Sequence, residues 1–170
     1  MESTSPVHLW HPTRARFKWW MKPVFVVALA FTVLAGESNA CPLVLPETTI
    51  FINGHRLVVE LALTSESRAC GLSHRASLLQ NRGMLFVYRR AEVRTFWMKD
   101  TLLPLSIAFL DHSGTIINIE RMVPNQTKVK YRSSLPAQFA LEVHQGWFKE
   151  RGIRVGDRVI FRLPAQRGSN

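Results

Sequence analysis

The sequence predicts an α+β domain with a mainly antiparallel sheet, curled toward a small barrel, and two or three short helices. Three observations support this fold class. Asn53-Gly54 separates two runs rich in β-branched residues, which indicates a tight hairpin. Further short apolar runs follow, bounded by turn sequences such as Asp111 to Gly114. So many strands in one small domain favour a curled sheet, because curling removes exposed edges.

The elements are predicted in chain order from these patterns. A hairpin over residues 48–63 leads to a short helix capped by Thr64 or Ser65 and ended by Gly71. A helical turn is expected over residues 76–80, a long exposed loop over 124–136 and a short helical segment over 147–150. Strands are expected over residues 83–88, 95–99, 105–110, 115–123, 139–143 and 158–163. One domain therefore spans residues 48–163, with a linker at 41–47 and a disordered tail at 164–170.

Residues 1–40 have the pattern of a signal peptide. A basic region precedes an uncharged apolar run, Val24 to Ala35, and the small residues Ser38-Asn39-Ala40 follow as a cleavage site. The run is shorter than the roughly 20 residues that span a bilayer as a helix. We therefore expect cleavage near Ala40 and a periplasmic or extracellular protein. A retained signal anchor is the alternative, because the basic region is long and Met21 could be the true start.

The two cysteines leave three states open. Cys41 would be the first residue after cleavage, and Cys70 lies further along the domain. An oxidising compartment allows a disulfide between them, Cys41 could instead carry a lipid, or both thiols could be free. The cysteines form no CxxC pair and no two histidines have a short ligand spacing. The sequence therefore predicts no metal site and no cofactor.

The chain is strongly basic, with a formal net charge of +10 at pH 7. Such a charge favours anionic partners such as envelope polymers or lipid headgroups. A solvated basic surface is the plainer interpretation. Export argues against a nucleic-acid partner, and membrane attachment is expected only through an uncleaved signal or a lipid on Cys41. The oligomeric state is not indicated.

Several segments in order resemble one known family. They are RACGLSHR (68–75), GMLFVY (83–88), FWMKDT (96–101), PLSIAFLDHSG (104–114), ALEV (140–143) and GIRVGDRV (152–159). Their order and spacing are similar to domain of unknown function 192, over roughly Thr48 to Phe161. The resemblance implies a single α+β domain, often exported, and implies no reaction.

The chain departs from the family pattern at three places. Asp100-Thr101 stands where Asn-Thr is usual, and Ser106 replaces an acid. Ser73-His74 precede Arg75, where the family usually has Met followed by an aromatic residue or His. If the missing acid were catalytic in relatives, Asp100 would have to replace it or this chain would be inactive.

The densest candidate site is the run from Phe96 to Thr101. On a strand, Trp97 and Lys99 face one way while Phe96 and Met98 face the other. We expect a groove for an anionic or carbohydrate ligand, or for a partner protein. The residues predicted to line it are Trp97, Lys99, Asp100, Lys128, Lys130, Tyr131 and Arg132. The alternative is that Lys99 and Asp100 form an ordinary exposed strand end.

Two further predictions concern titratable residues. Arg75 is expected to form a structural ion pair with Glu142, although His74 and Arg75 could instead supply a base and an anion clamp. A small hydrolase-like enzyme using His74, Asp100 or Glu142 for acid and base work is the alternative function. A noncatalytic binding module is preferred, because catalysis needs two titratable groups that converge.

Overall fold

The computed structural model describes residue 41 and residues 44–164. This part of the chain contains two short helices, α1 (Ser65–Cys70) and α2 (Trp147–Glu150), and nine strands. The strands are β1 (Glu47–Ile52), β2 (His55–Ala62), β3 (Arg82–Glu92), β4 (Thr95–Phe96), β5 (Leu105–Leu110), β6 (Ile116–Met122), β7 (Tyr131–Arg132), β8 (Ala137–His144) and β9 (Val159–Ile160). The predicted signal peptide and the predicted tail beyond Pro164 lie outside the described residues. None of the helices described has the length and apolar content needed to cross a membrane.

Seven strands form one curled sheet in the order β6-β5-β8-β3-β2-β1-β9, and β4 pairs separately with β7. The two edge strands, β6 and β9, approach each other at one end. There the Ile116 amide donates to the Asp157 carbonyl and the Val159 amide to the Gly114 carbonyl, both at 2.9 Å. The sheet is therefore a strongly curled half-barrel, as the sequence predicted in outline.

The main sheet is mainly antiparallel, as predicted, but one strand pair is parallel. β2 and β3 run parallel, with Val58 opposite Arg82, so the sheet is mixed. A parallel neighbour needs a crossover, and residues 63–81 supply it. Thr64 caps α1 on this path, because its Oγ1 accepts the Ser67 amide at 3.1 Å and its own amide donates to Ser67 Oγ at 2.9 Å. The predicted cap is confirmed, but the topology that it belongs to was not foreseen.

The hairpin predicted at Asn53-Gly54 is confirmed. Both residues have positive φ, 47° and 80°, as a tight turn between twisted strands requires. Other boundaries differ: residues 76–80 are not helical, β4 and β9 have two residues each, and β7 lies within the predicted loop. An isolated helical turn is unfavourable to nucleate, and only Leu78 of the 76–80 segment packs on a core.

The main sheet buries apolar side chains on both faces. Strand alternation sends Leu85 and Leu141 to one face, in the first core, and Met84, Phe86 and Ala140 to the other, in the second core. The first core is completed by α2 and β9. The second core is covered by connecting segments, whose buried residues are Leu72, Met98, Leu103 and Tyr131. The candidate site lies on the segments that cover the second core.

Cys41 and Cys70 are joined by a disulfide, with their Cα atoms 5.3 Å apart. Of the three states that the sequence left open, this is the one in the structure. The bond holds residue 41 against the last residue of α1, at the start of the covering over the second core.

Candidate functional site

Trp97 is exposed because strand alternation continues past the end of β4. Phe96 packs edge to face on Phe86 and Phe109, with ring centroids 4.9 and 5.7 Å apart, and Met98 is buried in the second core. Trp97 lies between these two anchors and points the other way, with 51% of its surface exposed. The chain thus presents an indole to solvent on a firmly packed base.

Lys130 reaches the Trp97 ring from the neighbouring segment. Phe96 pairs with Tyr131, whose hydroxyl accepts the Val123 amide at 2.8 Å. Because Tyr131 points to the second core, Lys130 points outward, and its Nζ lies 3.8 Å from the centroid of the Trp97 ring. Lys99 Nζ lies 5.9 Å from the same centroid. Two cations therefore lie in cation–π range of one exposed aromatic side chain.

Main-chain hydrogen bonds join the two segments that carry these residues. The Met98 amide donates to the Gln126 carbonyl at 3.1 Å, and the Asn125 amide donates to the Thr101 carbonyl at 2.9 Å. We call the exposed aromatic, aliphatic and charged side chains of these joined segments the Trp97 surface. Its members are Trp97, Lys99, Asp100, Leu102, Val123, Lys128, Val129, Lys130 and Arg132.

Tyr131 is the one predicted ligand residue that does not belong to this surface. It is only 7% exposed and packs in the second core. Its place in β7, opposite Phe96, sends its ring inward. Tyr131 therefore supports the surface from below, which corrects its predicted role as a contact residue.

His74 borders the Trp97 surface through the main chain. Its amide donates to the Asp100 carbonyl at 2.8 Å, and both residues have positive φ, 60° and 53°. His and Asp are among the residue types that tolerate this conformation best. Their side chains are exposed, and no hydrogen bond between described side chains joins His74, Asp100 or Glu142 to one another. The convergent pair that catalysis would need is thus not formed by these three residues.

The predicted ion pair between Arg75 and Glu142 is wrong. Arg75 binds Glu60 instead, with its two terminal nitrogens 2.5 and 2.7 Å from the two carboxylate oxygens. The hydrogen bonds that Arg75 donates to Glu60 raise the pKa of Arg75 above its usual value, and burial opposes this only in part. Glu60 and Glu142 both flank Met84 in one cross-strand row, so the two acids share a face of the sheet. The crossover carries Arg75 over β2, where Glu60 is the acid within reach.

Glu142 is buried between Met84 of β3 and Ile107 of β5. It is 5% exposed, and no ion pair within the described residues includes it. Burial raises the pKa of the Glu142 carboxyl to about 8. The carboxyl is consequently mostly protonated at neutral pH.

Tyr88 lies near Glu142 and was not foreseen as part of any cluster. Arg94 and Arg68 lie over its ring, with guanidinium carbons 3.8 and 5.0 Å from the centroid. Burial raises the pKa of Tyr88; the two arginines lower it, and the Glu142 carboxylate raises it. Because Arg68 also donates to the Leu63 carbonyl at 2.7 Å, this cluster holds the crossover onto β3.

A shallow groove lies elsewhere, against the first core. It has a volume of about 370 Å³ and is lined by Ile119, Phe148, Lys149, Gly152, Ile153 and Arg154. None of the predicted site residues lines it. Within the described residues no three His, Cys, Asp or Glu side chains are placed to share a metal ion.

Comparisons with known proteins identify the family. The family model DUF192, described as an uncharacterized ACR, matches residues 48–161, and no curated protein matches the chain. A crystal structure of a proposed transcription regulator from Sinorhizobium meliloti 1021 is 31% identical, with a TM-score of 0.67, over 71% of this chain and 97% of that chain. A protein of unknown function from Novosphingobium aromaticivorans DSM 12444 is 32% identical, with a TM-score of 0.61, over 67% of this chain and 83% of that chain. The chain belongs to the DUF192 family.

Proposed function

We propose that the domain is a noncatalytic binding module for anionic ligands, that the Trp97 surface makes the contact, and that the protein works outside the cytoplasm. The observation that carries the proposal is the exposed Trp97 ring with Lys130 and Lys99 within 3.8 and 5.9 Å of its centroid. An exposed cation–π contact contributes at most about 1 kcal/mol to folding. The arrangement of Trp97, Lys99 and Lys130 is better explained by an external partner.

The charge of the two joined segments indicates the sign of the ligand. Residues 97–102 and 123–132 contain four Lys or Arg residues and one acid, Asp100. Such a local excess attracts anions and makes binding fall as the salt concentration rises. A neutral sugar fits less well, because Lys130 occupies one face of the indole on which a sugar ring would stack.

Soluble polyanions test the proposal. We expect polygalacturonate to bind with an affinity that falls in Lys130→Ala and Trp97→Ala, measured by isothermal titration at low and physiological salt. Lys149→Ala is the matched control, because Lys149 is exposed but lies at the groove against the first core. Equal losses in Lys130→Ala and Lys149→Ala would mean that only the net charge matters, and the assigned surface would be wrong.

Double-stranded DNA is the rival polyanion in this experiment. The description of the Sinorhizobium meliloti relative as a proposed transcription regulator motivates its inclusion. Under the proposal, DNA binding at physiological salt should show no dependence on base sequence, since nonspecific contacts are electrostatic. Sequence-dependent DNA binding would contradict a role outside the cytoplasm.

Export is the second part of the proposal and rests on residues 1–40. The order of basic region, apolar run Val24 to Ala35 and Ser38-Asn39-Ala40 supports cleavage after Ala40. Amino-terminal sequencing of protein recovered from the envelope should begin at Cys41. A start at Met1 or Met21 would replace cleavage by a retained anchor, and recovery from the cytoplasm would contradict export.

One observation favours a hydrolase-like function as the second candidate. Glu142 is buried, and its pKa of about 8 keeps a proton available at neutral pH, as a general acid requires. The described residues do not supply a second titratable side chain bound to it. Hydrolysis of a model ester or glycoside by the wild type, lost in Glu142→Gln while polygalacturonate binding is retained, would favour the enzyme.

A further inference from the structure

We infer that the anionic ligand of the Trp97 surface is the headgroup layer of a lipid bilayer, on which this surface docks. The inference rests on the proposed function, because it assigns a ligand to the same surface. It differs from attachment through a signal anchor or a lipid on Cys41, since it uses folded residues of the domain.

The apolar part of the surface is what separates a bilayer from a soluble anion. Leu102, Val123 and Val129 are 62%, 56% and 46% exposed, and they come from the same two joined segments as Trp97. A soluble polyanion has little apolar area with which to cover these side chains. The boundary between headgroups and acyl chains does, so their burial there is favourable.

The pairing of Trp97 with lysines matches the chemistry of a membrane interface. An indole has an apolar body and a polar N–H, which suits the headgroup level. Lysine stems can lie along apolar surface while their ammonium groups reach phosphate. Lys130, whose Nζ is 3.8 Å from the Trp97 ring centroid, already has this arrangement.

The surface is also held in shape before any ligand binds. Phe96 and Met98 anchor one segment in the second core, and Tyr131 anchors the other. The hydrogen bonds from Met98 to Gln126 and from Asn125 to Thr101 join them. Docking therefore requires little ordering of the main chain, which removes one of the costs of association.

Lysine footprinting tests the inference on the protein in the form in which the cell accumulates it. Acylation of each lysine is measured by mass spectrometry with no ligand, with phosphatidylcholine vesicles, with vesicles in which about one third of the lipid is phosphatidylglycerol, and with polygalacturonate. We expect Lys99, Lys128 and Lys130 to be protected by the anionic vesicles and not by the phosphatidylcholine vesicles. Lys149 is the internal control and should label equally in all samples, whether or not residues 1–40 are present.

Variants separate the contribution of charged side chains to vesicle binding from the contribution of apolar side chains. Lys130→Ala should weaken partition to the anionic vesicles about fivefold, the equivalent of about 1 kcal/mol per cation near such a surface. Leu102→Ser, which leaves the charge unchanged, should also reduce protection of Lys99 and Lys128. Val155→Ser is its matched control, because Val155 is 60% exposed but lies outside the Trp97 surface.

The outcomes distinguish this inference from the proposed function. Protection by anionic vesicles that depends on Leu102 supports both. Protection by polygalacturonate without protection by anionic vesicles overturns the inference and leaves the proposed function standing. Unchanged labelling of Lys99 and Lys130 with both probes overturns both.

Discussion

The Trp97 surface and the cross-strand row of Glu60, Met84 and Glu142 are built on the same second core, yet they hold charge in opposite ways. The Trp97 surface leaves its lysines in water, above buried anchors. The row holds a partly exposed carboxylate, Glu60, paired with Arg75, and a buried carboxyl group, Glu142, that is protonated at neutral pH. Substituting an exposed charge changes the free energy of unfolding little, whereas substituting a buried one changes it strongly. The row should therefore control stability, and the surface should control binding.

The largest effect should come from Glu142. Its pKa is about 8 in the folded protein against an ordinary value of 4.5, so the folded state binds more protons between these values. Relative to Glu142→Gln, the wild type should therefore lose stability as pH rises from about 4.5 to about 8, by up to about 5 kcal/mol. Urea unfolding across this range measures the difference.

The control for this experiment is Glu120→Gln. Glu120 is opposite Ile107 on the edge strand β6, in the same row as Glu142. A pH-independent difference between wild type and Glu142→Gln, or an equal pH-dependent difference in Glu120→Gln, would show that burial of Glu142 does not set the effect.

Reduction of the disulfide should have the next largest effect. Cys41 and Cys70 are 29 positions apart, and closing such a loop stabilises a protein by about 3.5 kcal/mol on the chain-entropy estimate. Urea unfolding with and without reductant measures it. The Cys41→Ser, Cys70→Ser double variant should not respond to reductant, and two thiols alkylated before reduction would contradict the disulfide.

Arg75→Ala should lower the free energy of unfolding by less than the loss of a fully buried ion pair would. The Arg75 and Glu60 side chains are 28% and 17% exposed, so solvent screens part of their attraction. We expect a loss of about 1–3 kcal/mol in the free energy of unfolding, between the values for exposed and buried pairs. Arg82→Ala breaks the more exposed pair with Glu47 and should cost less. Equal losses in the two variants would contradict the assigned burial.

The smallest stability effects should come from the Trp97 surface. Lys99→Ala and Lys130→Ala should each change the free energy of unfolding by no more than about 0.5 kcal/mol, while weakening binding of polyanions. Thermal unfolding and titration on the same samples measure both quantities. A loss of stability that parallels the loss of binding would assign these lysines to folding instead.

Local signals in the sequence were sufficient for part of the fold. Asn53-Gly54 sets a turn through its own φ angles, and Thr64 caps α1 through contacts three residues away. Alternation around Phe96 and Met98 likewise predicted that Trp97 faces outward. These outcomes depend on neighbours in the chain, which a sequence displays directly.

The pairing of distant residues could not be read in the same way. Glu60 and Glu142 both interrupt apolar strands, and only the parallel register of β2 and β3 places the crossover residue Arg75 beside Glu60. The apolar members of the Trp97 surface were also missed. Leu102 and Val123 stand in or beside connecting segments, where an apolar residue can fold inward or remain exposed, and the local sequence does not distinguish the two outcomes.

The indole N–H resonances of Trp97 and Trp147 test the central claim most directly, because they report on exposed and buried rings in one spectrum. Trp97 is 51% exposed, whereas Trp147 is 1% exposed, with its Nε1 3.4 Å from Asn81 Oδ1. On titration with a short-chain phosphatidylglycerol, and separately with polygalacturonate, we expect the Trp97 resonance to shift with at least one ligand. That shift should reverse on adding salt, while the Trp147 resonance stays in place. An unchanged Trp97 resonance with both ligands, or equal shifts of the two indoles, would contradict a binding role for the Trp97 surface.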